Sequence, residues 1–492
     1  MNLKILILIP LLFISISIFC QQEPSGILIS KDSAIVLNQD NFVLLNQTVS
    51  EQVETTNRGS LIFRGLIGII FLIGISFIFS KDRKAVQYKI VFLGLMFQIL
   101  LAISVLYIPV VESVFSFIGK LFVVVLNCAD KGAEFLFGDM VDLDKTAYIF
   151  AFQVLPAIIF FSALMSLLFY LGIIQKVVFV MAWLLKKTLK MSGPESLAVA
   201  GNVFLGQTES PLLIKAYLPK LSGSEMFIVM TSGMATIAGA VLAAYVGMLG
   251  GDDPVAREMF ARHLVTASVM AAPGAVVVSK ILFPQTESID KPIKISKDQV
   301  GSNPLDAIST GAYEGLKLAA NVAIMLLVFY SFIALLNILL GFVGKIPVHQ
   351  EYAGSINEVI AYKSDGMFTG LSLEYLLGKI FTPLMWLIGV ANDDLSVLGR
   401  LMGEKLIFTE FVGYSNLKDL MAQGAIQSSK SVLMATYMLC GFANIASVGI
   451  LIGGIGSLAP NQRVFLSKQG MRALLGGTIA SLLSATIIGV IA

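Results

Sequence analysis

The chain is poor in charge, in cysteine and in histidine. Charged residues make up 13% of its 492 residues, about half the share of an ordinary soluble domain. Lys and Arg total 34 against 32 Asp and Glu, a net charge of +2, so nucleic acid is not an expected partner. The three cysteines, Cys20, Cys128 and Cys440, lie far apart, in or beside apolar runs. They have neither metal spacing nor a disulfide framework and read as small core hydrophobes. The two histidines, His263 and His349, are isolated near the ends of apolar runs and suit an interfacial place better than catalysis. No HExxH motif or aspartate dyad is present. A membrane-embedded enzyme is therefore disfavoured, and no cofactor is expected.

What is abundant is apolar sequence, 56% of the chain. Several runs reach the ~20 residues that cross a bilayer. These features predict an all-α polytopic membrane protein surrounded by lipid. Residues 1–20 read as a signal peptide: Lys4, an apolar stretch from Ile5 to Phe19, then Gln21 and Gln22. An uncleaved anchor helix is the alternative. Residues 21–59 read as a polar extracytoplasmic segment.

Spans are expected near 61–80, 88–109, 148–174, 225–249, 264–283, 315–343, 427–457 and 471–491. Residues 113–136 are amphipathic and are expected along the interface. Two apolar stretches, 195–218 and 374–414, carry polar breaks. If each enters and leaves on one side, the basic clusters fall on one face. These are Lys81–Lys84, Lys186–Lys190, Lys291–Lys297 and Arg463–Arg472. The expectation is therefore about eight transmembrane helices plus two re-entrant helical hairpins. Each hairpin is followed by two spans, and the hairpins enter from opposite faces as inverted repeats. The segments are 60–147, a first repeat over 148–300, a scaffold helix and external loop over 301–373, and a second repeat over 374–492.

The breaks carry the chemistry. Gln207, Thr208 and Glu209 place an amide, a hydroxyl and a carboxylate at the first hairpin tip; Glu410 lies at the second. An acid at bilayer depth costs roughly 2.5–3.5 kcal/mol on the milder scales. A third break, Cys440 to Gly449, holds Phe442, Asn444 and Ser447. Asn444 and Ser447 share one helical face at i, i+3 spacing. A lone Asn or Ser in a membrane helix is usually interhelical glue, so the combination carries the signal. Amides, hydroxyls, acids and one aromatic ring suit a neutral polar ligand with a flat base and a sugar. No Arg or Lys lies among these residues, which disfavours a strongly anionic substrate.

Gly201-Asn202-Val203-Phe204-Leu205-Gly206-Gln207-Thr208-Glu209-Ser210-Pro211, Glu410-Phe411-Val412-Gly413-Tyr414 and Gly441-Phe442-Ala443-Asn444 resemble the signature of the concentrative nucleoside transporter family. The similarity runs from about residue 60 to the end. It implies a homotrimer, with a scaffold and a moving transport domain that carries both hairpins. It implies that Gln207, Thr208 and Glu209 face the nucleobase and that Val241 lines the base pocket. By the same resemblance Glu410, Asn444 and Ser447 hold the ribose, with Phe442 beside it. The sodium-coupled pattern is matched by Asn202, Thr236 and the carbonyls of Leu205 and Ile237. Thr409, Ser210 and Ala446 depart from the family pattern beside the site, so the resemblance does not set purine against pyrimidine.

These readings converge on sodium-coupled nucleoside uptake across a bacterial inner membrane. A proton-coupled transporter, with Glu209 or Glu410 titrating, is the runner-up. A passive channel fits two closing hairpin tips less well.

Overall fold

The computed structural model describes residues 58–141, 149–251, 253–287, 301–348, 354–364 and 366–492. The expected signal peptide, nearly all of segment 21–59, His349 and the lysines at 291, 294 and 297 lie outside the described residues. Within them the secondary structure is helical, apart from one isolated bridge between Pro347 and Ser355.

The first helices are α1 (Arg58–Ile78), α2 (Tyr88–Tyr107), α3 (Pro109–Phe137), α4 (Leu155–Tyr170) and α5 (Ile173–Leu189). The first hairpin follows, formed by α6 (Gly193–Asn202) and the 3-10 turn Ser210–Ile214. Helices α7 (Gly223–Ala235) and α8 (Gly239–Gly250) are one span broken at Thr236–Ala238, and α9 (Pro254–Leu282) returns beside them. Then come α10 (Pro304–Val343), α11 (Ile356–Lys363) and α12 (Leu373–Leu387). The second hairpin is α13 (Leu395–Ile407) and α14 (Glu410–Ala422). Helices α15 (Ser429–Leu439) and α16 (Ile445–Leu458) form the second broken span, and α17 (Arg463–Ile491) returns beside it.

The order hairpin, broken span, return span thus occurs twice. The two broken spans and both return helices pack together at the centre. The α7–α8 span is wholly buried, and α9 and α17 nearly so. Helix α10 is the opposite: it is largely apolar along its 40 residues, yet few of them are buried. It leans on α4 through Gly311 and Gly315, where an added Cβ would lie 2.4 Å from Ser166 and 2.7 Å from Ser162. Small residues at four-residue spacing let two membrane helices approach this closely.

Among the described residues eight helical stretches are long and apolar enough to cross a bilayer. This set includes Pro109–Met140 and leaves out 427–457, whose break shortens its second half to Ile445–Leu458. Helix α3 nevertheless crosses α9 steeply. Its Glu112, Lys120 and Asp130 pair with Arg262, Glu258 and Arg257. From Glu112 to Asp130 is about 27 Å of helix, whereas Arg257 to Arg262 is about 8 Å. With this spacing the two helices cross at an angle rather than run side by side.

The second hairpin begins later than the sequence pattern suggests. Its arms are Leu395–Ile407 and Glu410–Ala422, not a single unit over 374–414, and α12 is a separate helix along α13. The chain turns between them at Gly389 (φ +90°), a conformation that favours glycine. Buried Asp394 then accepts from the backbone N–H groups of Gln427 and Ser428, tying the hairpin base to α15.

Candidate functional site

Local sequence makes the first hairpin short. Ser192 and Glu195 form a capping box and Pro194 sits in the first turn of α6. The base is then locked by a buried ion pair. Lys280 of α9 donates to Glu195 and to Ser224 Oγ, while Ser192 Oγ donates to Glu225. At the far end α6 stops at Asn202, and the chain crosses to Ser210 through the polar tip. Ser210 Oγ donates to Ala198 O, and Gly201 leaves room for it: an added Cβ would lie 2.6 Å from that hydroxyl.

The tip docks against the break of the α7–α8 span. Gly239 N–H donates to Phe204 O at 2.9 Å, and Ser268 Oγ donates to Val203 O at 3.2 Å. Asn202 Nδ2 donates to Ser232 Oγ at 2.8 Å, and Thr236 Oγ1 donates to the Ser232 carbonyl at 2.8 Å. Ser232 therefore links the two polar residues singled out in the sequence. Asn202 is 1% exposed, and its Oδ1 has no hydrogen-bond partner. A buried acceptor left unpaired costs about 1–3 kcal/mol and marks a place where a positive or hydrogen-donating ligand fits. Leu205 and Ile237 are buried at the same junction.

The second break builds a different surface. Glu410 opens α14 behind the Thr409 cap. Its carboxylate is buried and accepts from Tyr245 Oη at 3.1 Å and from Asn444 Nδ2 at 2.8 Å. Asn444 caps α16 by accepting from the Ser447 backbone N–H at 2.8 Å. Ser447 Oγ accepts from Gln207 Nε2 at 3.3 Å, and Gln207 Oε1 is buried without a partner. Gln207, Ser447, Asn444, Glu410 and Tyr245 thus form one continuous polar line from the first tip to the second. A carboxylate has about four acceptor positions, so two donors leave Glu410 further capacity.

The remaining expected residues stand around this line. Thr208 and Glu209 are exposed at the first tip; Thr208 lies against Gly454 of α16, and Glu209 accepts from the Gly206 N–H at 3.3 Å. Val241 is buried one turn before Tyr245 on α8. Phe442 is half-buried beside Gly441. Gly441 has φ +115°, and a Cβ there would lie 2.4 Å from Ala235 O. The two breaks therefore touch backbone to backbone, and only glycine allows it.

Sequence reasoning missed Tyr245, Ser232 and Lys405. Tyr245 follows Val241 by four residues, so helical spacing from a named residue was the available signal. Its ring packs on Tyr414 (4.3 Å between centroids) and Phe411 (4.8 Å). Lys405 of α13 is fully buried; its Nζ donates to Met438 O at 2.8 Å, Cys440 O at 3.5 Å and Ser481 Oγ at 3.3 Å. His263 is buried rather than interfacial, with Nδ1 3.3 Å from Tyr437 Oη. Cys440 is buried as expected, whereas Cys128 is exposed.

Comparison with known proteins gives a consistent family. Models described as Na+ dependent nucleoside transporter N-terminus and C-terminus match residues 67–140 and 263–489. One described as a nucleoside-recognition gate matches residues 151–252. An uncharacterized transporter of Haemophilus influenzae is 37% identical over 87% of this chain and 97% of its own length. Sodium/nucleoside cotransporter 1 of Rattus norvegicus is 36% identical over 86% of this chain, which spans 63% of that longer protein. The solved structure of CNTnw in an inward-facing, substrate-bound state is 34% identical, with a TM-score of 0.76 over 87% of this chain and 99% of that one.

Proposed function

Because the chain belongs to the Na+ dependent nucleoside transporter family, we propose that it is a sodium–nucleoside symporter working by alternating access in a bacterial inner membrane. It is a membrane transporter and not an enzyme. The polar line from Gln207 through Ser447, Asn444 and Glu410 to Tyr245 carries the reading, because it joins both hairpin tips and both broken spans. Glu410, Asn444 and Ser447 hold the ribose hydroxyls, and Phe442 lies beside the sugar. Gln207, Thr208 and Glu209 meet the base edge, and Val241 lines the base pocket.

Sodium is a second cargo, held by Asn202 Oδ1, the Thr236 hydroxyl and the carbonyls of Leu205 and Ile237. The unpaired, buried Asn202 Oδ1 supports this assignment: hard, neutral oxygens at an unwound span suit a small cation. One sodium ion moving inward through ~100 mV gains about 2.3 kcal/mol, equivalent to roughly fifty-fold accumulation. The exposed apolar side of α10 suits burial against sister copies in a homotrimer.

The test is radiolabelled uridine uptake into proteoliposomes under an inward sodium or an equal potassium gradient at matched pH. Accumulation above equilibrium with sodium alone is expected. Equal uptake in both, collapsing with a protonophore, would move the coupling to protons. No uptake of uridine, adenosine or other nucleosides would remove the substrate class.

A further inference from the structure

The two broken spans end their first halves in the same way but meet different side chains there. Helices α7 and α15 each stop at an unwound segment, Thr236–Ala238 and Cys440–Asn444. Each end is the carbonyl, partly negative end of a helix, and each is reached by the inward arm of its own hairpin. In the first repeat the arm α6 brings Asn202. In the second the arm α13 brings Lys405, which donates to Met438 O and Cys440 O at the end of α15 and to Ser481 Oγ on the return helix.

We infer that Lys405 is a tethered counterpart of the coupling ion: its ammonium takes in the second repeat the place that sodium takes in the first, so one sodium ion moves with each nucleoside rather than two. This inference rests on the sodium reading of the first break. An ammonium offers three donors and meets three oxygens here. A buried charge is tolerated only when it is paired or hydrogen-bonded in this way. Lys405 is also near enough to Glu410 for electrostatic attraction. The second break therefore keeps its positive charge throughout the cycle, loaded or unloaded. The first break supplies only neutral groups to the same kind of helix end: Asn202, Ser232 and Thr236 bond to one another, and Asn202 Oδ1 remains unpaired. Its positive charge arrives and leaves with the cargo. The asymmetry separates a break that senses sodium from a break that is permanently set to hold the acid that meets the substrate.

Lys405→Asn gives the second break the chemistry of the first, and radiolabelled sodium bound at equilibrium to purified protein reads the result. The wild type is expected to bind one sodium per protomer and Lys405→Asn two, with the Hill coefficient for sodium-driven uptake rising from about one to about two. One sodium in the variant, at unchanged half-saturation, would overturn the inference. Should Lys405→Asn fail to reach the membrane, the wild-type ratio of sodium to nucleoside flux decides: one supports the tethered cation and two overturns it. A wild type that binds no sodium would remove the sodium reading and this inference with it, whereas two would remove this inference alone.

Discussion

The first and second breaks share a plan and differ in what fills it. At the first, Thr236 and Ala238 have ordinary backbone angles (φ −109° and −68°), and the polar side chains are neutral. At the second, Gly441 adopts φ +115°, a lysine is buried and a carboxylate is gripped by two donors. The first therefore has acceptor capacity left over, at Asn202 Oδ1 and Gln207 Oε1. The second keeps its spare acceptor capacity on a charged acid that two donors hold in place. On the proposed reading, one geometry used twice serves a cation at the first break and a sugar at the second, through the side chain each hairpin arm delivers.

Substitutions that erase this division should be felt most strongly at the acid. Glu410→Gln keeps the shape but turns one acceptor oxygen into a donor and removes the charge. Hydrogen bonds to charged groups contribute about 1.5–3 kcal/mol each, so loss of two or more predicts uptake reduced by about a hundredfold or more. Membrane insertion should be unchanged; near-normal uptake would take Glu410 out of the ribose contact.

Gly441→Ala tests whether the second break needs its unusual backbone. Strain of about 1–3 kcal/mol, added to a Cβ 2.4 Å from Ala235 O, should lower the unfolding temperature in detergent clearly. Ile237→Ala, at the corresponding place in the first break, removes side-chain volume without straining the backbone. Equal tolerance of a methyl group at Gly441 would show that the breaks do not touch as described.

Tyr245→Phe removes one donor from Glu410 and leaves the ring stack on Tyr414. About 1.5 kcal/mol corresponds to roughly a tenfold rise in the nucleoside concentration for half-maximal uptake, with sodium dependence unchanged. A shift in sodium dependence instead would couple the acid to the ion rather than to the sugar. The smallest effect is expected at the cap of α14. Thr409→Ala should cost about 1 kcal/mol in thermal unfolding, and Thr409→Asn almost nothing, because Asn caps equally well.

Much of this site was legible because polar residues interrupt apolar runs. Gln207, Glu410, Asn444 and Ser447 stood out for that reason, and the structure joins them in one line. Lys405 did not, because it stands beside the charged Arg400 and Glu404 within the stretch 374–414, and only tertiary packing shows it buried. Tyr245 was hidden inside a run that is apolar on every face, where periodicity marks no inner side. The limits of the second hairpin were blurred for a similar cause: a single turn at Gly389 separates two apolar helices that read as one stretch. His263 was misplaced because its burial depends on Tyr437, distant in sequence.

The sodium dependence of uridine uptake by Asn202→Ala, measured beside the wild type at saturating nucleoside, addresses the division most directly. If the first break holds the ion, the half-saturating sodium concentration rises at least tenfold while maximal uptake at high sodium largely survives. An unchanged half-saturation, in a variant that inserts and transports, would place the coupling ion elsewhere.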